Sequence, residues 1–300
     1  MGTTRILEAI GNTPLIHLSS VGKGRVLAKA EYLNPGGSIK DRVAKHMIER
    51  ALERGELKPG GAIIEATSGN TGIGLAFVGT QMGHRVVLVM PENMSEERKK
   101  VIAAFGGECH FTSADESLEG ALRKAYELQE NLPGSWIAQQ FENPDNPMAH
   151  YLTTGPEIWE QAGGRVDSFV AGVGSGGTLT GVGRFLKEQD PSIRIVAIEP
   201  KNVSALLGDE PGLHQIQGIG DGFVPTVLDK KIINHVVEVT DEDAIQMTRR
   251  LSREDGVLVG TSAGANMHAA IREAAFLGQD ARVVTVLPDR AERYFSTALL

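Results

Sequence analysis

The sequence predicts an α/β protein of two open, twisted, mostly parallel sheets flanked by helices. Three observations carry this. Short Val- and Ile-rich segments alternate with segments of helical length along nearly the whole chain. Glycine accounts for 36 of the 300 residues and clusters at strand-to-helix junctions, where backbone must approach something closely. A polar, proline-bearing stretch, Glu142-Asn143-Pro144-Asp145-Asn146-Pro147, interrupts the alternation and reads as a domain junction. Such alternation implies right-handed βαβ units and a parallel sheet in each of two lobes. Ligands of such sheets bind at the carboxyl ends of strands.

The elements follow in order. Strands are expected over 25–31, 62–65, 85–90, 108–112 and 136–139, and after the junction over 167–171, 193–199, 235–239 and 282–287. Helices are expected over 39–54, 71–82, 95–105, 118–131, 177–188, 241–255 and 262–277. Pro91 closes the apolar run 85–90, and the segment from Lys201 to Pro225 is irregular and glycine-rich.

Composition excludes several function classes. The net charge is -8 and no basic stripe appears, so nucleic acid is not an expected partner. Aromatic residues make up 5%, too few for base-stacking platforms. Cys109 is the only cysteine and fits a buried thiol in a reducing compartment. No run approaches the roughly 18 apolar residues of a membrane span, and no apolar signal region opens the chain. A cytoplasmic protein without a membrane partner is expected. The eight histidines show no metal-ligand spacing, and no G-x-S-x-G elbow supports a hydrolase triad. No metal is expected.

Four segments carry chemistry. In Asn34-Pro35-Gly36-Gly37-Ser38-Ile39-Lys40-Asp41-Arg42, the proline and glycines break the chain and Ser38 reads as the N-cap of the next helix. Lys40 then falls in the first turn, at the positive end of the helix dipole. A cation is disfavoured there, which favours a neutral, nucleophilic amine. In Glu65-Ala66-Thr67-Ser68-Gly69-Asn70-Thr71-Gly72, which joins a short strand to a helix, hydroxyls, an amide and a helix N-terminus converge, a cradle for an anion such as a carboxylate. Gly172-Val173-Gly174-Ser175-Gly176-Gly177-Thr178 contains G-x-G-x-x-G between strand and helix, with Glu199 closing the next strand. It is built to hold a phosphate, and a nicotinamide cofactor or a phosphorylated pyridoxal fits equally at this level. Gly260-Thr261-Ser262-Ala263-Gly264 opens another helix, with Ser262 as its N-cap, and Gln139-Gln140 ends a strand just before the junction.

Taken together and in this order, these segments resemble the β-family (fold type II, tryptophan synthase β-like) of pyridoxal-phosphate enzymes, specifically the cysteine synthases, or O-acetylserine sulfhydrylases. The resemblance runs from Ile10-Gly11-Asn12-Thr13-Pro14-Leu15 to Pro288-Asp289-Arg290-Ala291-Glu292-Arg293-Tyr294 and includes Thr153-Thr154-Gly155-Pro156-Glu157-Ile158-Trp159. It implies a smaller, mobile N-terminal domain over 36–145 and a larger domain of 1–35 with 146–300. It implies pyridoxal 5'-phosphate as cofactor, with Lys40 forming the Schiff base and later moving protons at Cα. Asn70 would contact the pyridine 3′-oxygen, and Ser262 would bond the pyridine nitrogen. Gly174, Ser175, Gly176, Gly177 and Thr178 would wrap the phosphate. Thr67, Ser68, Gly69, Thr71, Gln140 and Gly218 would meet the amino-acid substrate. The implied reaction is β-replacement: O-acetyl-L-serine loses acetate to give an α-aminoacrylate, and sulfide adds to form L-cysteine. A homodimer is also implied.

The resemblance has departures. Met90–Arg98 and Pro288–Arg290 lean toward the B isozyme, whereas His214–Gly220 leans toward the A isozyme. A small apolar residue follows Gly-Ile-Gly in the common cysteine synthases, and here it is Asp221. Its carboxylate is either a solvated loop group or a catalytic one facing the aminoacrylate. In the second case it would activate water or a thiol, and cysteine itself would become a substrate that releases sulfide. Pro225-Thr226-Val227-Leu228-Asp229 resembles cystathionine β-synthases. A nicotinamide-dependent oxidoreductase is the distant alternative, and it leaves Lys40 and Thr67–Gly72 unexplained.

Overall fold

The computed structural model describes residues 5–67, 69–208 and 212–297. Its strands are β1 (Leu15–His17), β2 (Val26–Lys29), β3 (Ala62–Ala66), β4 (Arg85–Pro91), β5 (Glu108–Thr112), β6 (Trp136–Ile137), β7 (Ser168–Gly172), β8 (Arg194–Pro200), β9 (His235–Val239) and β10 (Val283–Val286). The helices are α1 (Lys40–Arg54), α2 (Asn70–Gln81), α3 (Glu96–Ala104), α4 (Ser117–Asn131) and α5 (Asp145–Ala149). After a π turn over His150–Thr154 come α6 (Gly155–Gln161), α7 (Gly177–Gln189), α8 (Asp241–Glu254) and α9 (Thr261–Leu277). The chain divides into two compact units, one of residues up to Ile10 with Asn34–Asn146, the other of Gly11–Leu33 with the chain from Pro147 onward.

In the first unit, the strands run in the order β5-β4-β3-β6, all parallel. Alternate residues serve opposite faces. Ile63, Val86 and Leu88 pack with Val43, Met47 and Ile48 of α1 and Ile73 of α2. Ile64, Val87 and Val89 pack with Ala121 and Ala125 of α4. Burial on both faces is why Val86–Met90 is an unbroken apolar run. At the end of α1, Gly55 takes φ +70 and its N–H reaches the carbonyls of Ala51 and Leu52, a left-handed cap.

In the second unit the order is β1-β2-β10-β7-β8-β9, parallel except that β1 lies antiparallel at the edge. Val170, Val196, Ile198 and Val283 share one core with Ala244, Met247 and Leu251 of α8 and Ala263, Met267 and Ala270 of α9. Leu179, Val182 and Leu186 of α7 are fully buried. A Cβ on Gly183 of α7 would come within 3.4 Å of Ile195, which places α7 against β8.

Some expected boundaries shift for physical reasons. The strand expected over 136–139 stops at Ile137 because Gln139 turns into the left-handed region at φ +53. The strand expected over 25–31 stops at Lys29, and Glu31 instead opens a 3₁₀ turn, its buried carboxylate accepting from Thr13 Oγ1 at 2.6 Å. Cys109 is half-buried rather than buried, on edge strand β5; burial still pushes its thiol pKa up. β1, α5 and the helical run from His150 to Gln161 were not among the expected elements.

That segment has a structural task. Lys29 is fully buried, and its Nζ lies 2.6 Å from Glu157 Oε2, 2.5 Å from the Thr13 carbonyl and 3.0 Å from Gln161 Oε1. Glu157 Oε1 also accepts the Asn12 N–H at 3.0 Å. One cation therefore ties the Gly11–Leu15 motif to the Thr153–Trp159 motif.

Candidate active site

The Lys40 end of the first unit is built from close backbone approaches. Asn34–Gly37 closes a turn through a 2.8 Å bond from Gly37 N–H to the Asn34 carbonyl, with Gly37 at φ +85. Gly36 donates its N–H to Asp41 Oδ2 at 2.6 Å. A Cβ on Gly36 would lie 2.6 Å from the other Asp41 carboxylate oxygen, so only glycine fits. The cap differs by one residue from the expectation: Ile39 occupies the cap position and Lys40 is the first residue of α1. Ser38 still satisfies this end, since its Oγ accepts the Lys40 N–H at 3.2 Å.

The loop after β3 lies in the same unit. Thr67 Oγ1 accepts the Gly69 N–H at 3.2 Å, and Asn70 opens α2. Thr71 Oγ1 donates to Gln140 Oε1 at 2.5 Å, which joins two of the expected substrate residues across 69 positions of sequence. Ser68 lies outside the described residues. A Cβ on Gly72 would lie 2.7 Å from Thr67 Cγ2, so the loop folds back tightly on α2. One turn further, a Cβ on Gly74 would lie 2.8 Å from the Lys40 carbonyl oxygen and 3.3 Å from Ala44 Cβ. Gly74 therefore sets the distance between the lysine helix and the helix that the Thr67–Thr71 loop opens. Gly74→Ala is expected to push α1 outward and destabilise the protein by about 1–3 kcal/mol, the usual cost of overpacking. Denaturant unfolding with an unchanged m-value would measure it.

The second unit gathers the other expected residues. Gly176 caps α7 at φ +80, and a Cβ there would lie 2.9 Å from Leu228 Cβ. A Cβ on Gly174 would overlap the Gly218 carbonyl. Side chains are thus excluded at Gly174 and Gly176 of the loop that leads to the first turn of α7, whose N–H groups suit a phosphate. Thr178 Oγ1 lies 3.2 Å from His150 Nε2, and His150 Nδ1 lies 2.9 Å from Thr154 Oγ1. Gly220 donates its N–H to the Val173 carbonyl at 3.0 Å, and Thr261 Oγ1 accepts the Gln217 N–H at 3.1 Å. The segments around 174, 218 and 262 therefore converge. Ser262 is not the cap of α9: Gly260 holds that position, leaving Ser262 second in the helix and 3% exposed. Asp221 is exposed on the loop after Gly220.

The sequence pointed to no role for Asn266, Gly74 or His150, and Glu65 stood at the start of the Glu65–Gly72 segment without one. Asn266 Oδ1 accepts the Gly172 N–H and its Nδ2 donates to the Val286 carbonyl, both at 2.8 Å, which fixes the start of the glycine loop. A buried polar residue on the apolar face of a helix was the available signal. Glu65 accepts the backbone N–H groups of Gln139 and Gln140. A lone carboxylate inside an apolar strand was its signal.

The lysine at a helix start, the polar loop and the glycine cradle are the parts that a pyridoxal-phosphate enzyme requires, and the chain belongs to the family of pyridoxal-phosphate dependent enzymes, which matches residues 6–289. Among its relatives is the cysteine synthase of Staphylococcus aureus (strain Mu50 / ATCC 700699), 50% identical over 298 residues, covering 98% of this chain and 96% of that protein. The structure of cysteine synthase from Entamoeba histolytica superposes with a TM-score of 0.95 at 40% identity, covering 100% of this chain and 91% of that one. That of an O-acetylserine dependent cystathionine β-synthase from Helicobacter pylori gives 0.93 at 41% identity, covering 100% and 99%.

Proposed function

We propose that this protein is a cysteine synthase that forms L-cysteine from O-acetyl-L-serine and sulfide. The observation that carries the reading is the bond from Thr71 to Gln140 on the loop beside α2, in the same unit as Lys40 and spaced from α1 by Gly74. In this reading Thr67, Ser68, Gly69, Thr71 and Gln140 hold the substrate carboxylate, with Gly218 also at the substrate. Lys40 holds the cofactor aldehyde and then moves the Cα proton. Asn70 meets the 3′-oxygen, and Gly174 to Thr178 hold the phosphate. Bound pyridoxal phosphate supplies an electron sink for the negative charge at Cα. Ser262 offers the ring nitrogen a neutral hydroxyl, which does not hold it protonated and so moderates that sink. This suits elimination and replacement at Cβ.

The test mixes protein, cofactor and O-acetylserine with sulfide and follows cysteine. Cysteine formation supports the reading, and its absence, with turnover only when homocysteine is added, would replace it with a cystathionine synthase.

A second reading rests on Asp221, a carboxylate on the exposed loop where the common cysteine synthases carry a small apolar residue. In it the carboxylate activates water or a thiol, and cysteine becomes a substrate that releases sulfide. Asp221→Ala is then expected to lower sulfide release from cysteine about tenfold, at the low end of acid–base contributions. Release unchanged from the parent removes this reading. We further read the protein as a cytoplasmic homodimer. A single cysteine fits a reducing compartment, and the dimer follows from family likeness; light scattering on the purified protein tests it.

A further inference from the structure

We infer that Glu65 is a positioning residue for the amino-acid substrate: its ionised carboxylate clasps the Gln139–Gln140 corner and so aims Gln140 at Thr71. This rests on the reading of Thr71 and Gln140 as substrate contacts. Glu65 is the next-to-last residue of β3, with 2% of its surface exposed. Its Oε2 accepts the Gln139 N–H at 2.8 Å and its Oε1 the Gln140 N–H at 3.1 Å. Both oxygens act as acceptors, so the clasp needs the anion. A protonated acid or an amide would turn a donor toward a second donor.

The corner is otherwise costly. Gln139 sits at φ +53, where residues other than glycine are uncommon. Two more bonds finish it: Asn143 Nδ2 to the Ala138 carbonyl at 2.9 Å and Asn146 Nδ2 to the Gln140 carbonyl at 2.7 Å. The Gln140 side chain then accepts from Thr71.

Glu65 also titrates in a useful range. Burial raises its pKa to about 7, although the two N–H groups favour the anion. The charged residues in the first turn of α1 are Lys40, Asp41 and Arg42. The first turn of α2 has none, and the β4 neighbour is Leu88. No charged side chain contributes to the shift. The clasp is therefore made above pH 7 and released below it, by the proton of Glu65 itself.

The experiment compares Glu65→Gln with the parent holoenzyme across pH. Near pH 8 the KM for O-acetylserine is expected to rise about tenfold, the scale of one charge-assisted hydrogen bond, with kcat within about threefold. The ratio of the two KM values should shrink toward one as pH falls through 7, and this ratio cancels the titration of the substrate's own amine. A ratio constant with pH, or a loss confined to kcat, overturns the inference. The parent protein supplies an independent check: in ¹⁵N-labelled protein, the Gln139 and Gln140 amide resonances should titrate together with a midpoint near 7. Amides that do not move overturn the inference even if the variant fails to fold. If they titrate while the parent does not turn over O-acetylserine, the clasp stands and the functional reading fails.

Discussion

Lys40→Ala protein is expected to be folded, colourless and inactive, beside a yellow parent. Lys40 is the first residue of α1, where alanine is a good helix former, so far-UV circular dichroism should not change. The loss of activity is expected to exceed about a thousandfold, because in the proposed reaction one amine would both hold the cofactor and move the Cα proton. Borohydride should bleach the parent and leave the reduced cofactor on the peptide that contains Lys40. A coloured, active Lys40→Ala protein would remove Lys40 from the reaction. Normal cofactor affinity with no turnover would leave it the proton transfer alone.

Lys29→Met is expected to have the largest effect on stability. Met has a similar length and fills the site, so the change mainly removes charge and donors. It takes from Glu157, whose side chain is only 14% exposed, the cation 2.6 Å from its Oε2. It also removes the donor to the Thr13 carbonyl. Removing one partner of a buried pair costs about 3–5 kcal/mol, and urea or thermal unfolding would show it. Adding Glu157→Gln should recover part of the loss, because the amide oxygen can still accept the Asn12 N–H while the carboxylate charge is gone. No recovery in the double variant would mean that the cost lies in packing rather than in charge.

The fold was legible because both sheets are buried on two faces, which writes Val86–Met90 of β4, Phe169–Ala171 of β7 and Ile195–Ile198 of β8 as short, unbroken apolar runs. The helices were legible from their length, and α1, α2, α7 and α9 also from the glycines just before them. What escaped was held by polar contacts rather than by periodicity. β1 spans three residues and ends with an exposed histidine, too little for a pattern. The end of β6 was misplaced because it is set by Glu65, which lies 74 residues earlier than Gln139.

The site shows the same division. Lys40, Asn70 and the 174–178 loop were legible as candidates because each follows a local break in the chain. Ser38 and Ser262 were assigned as caps by residue type alone. Backbone geometry moved the caps to Ile39 and Gly260, since the helices begin where close approaches allow. Gly74 and Asn266 could not be found locally, because their partners, Lys40 and Val286, are distant in sequence.

The π turn over His150–Thr154 has a consequence for chain length. Such a turn holds one residue more than an α turn, so it works as a phase shifter along a continuous helical run. Deleting a single residue there would rotate everything downstream by about 100° around the axis. Glu157 would swing away from Lys29, and Thr154 from His150. Indels in this segment should therefore be far less tolerated than substitutions at its exposed Leu152.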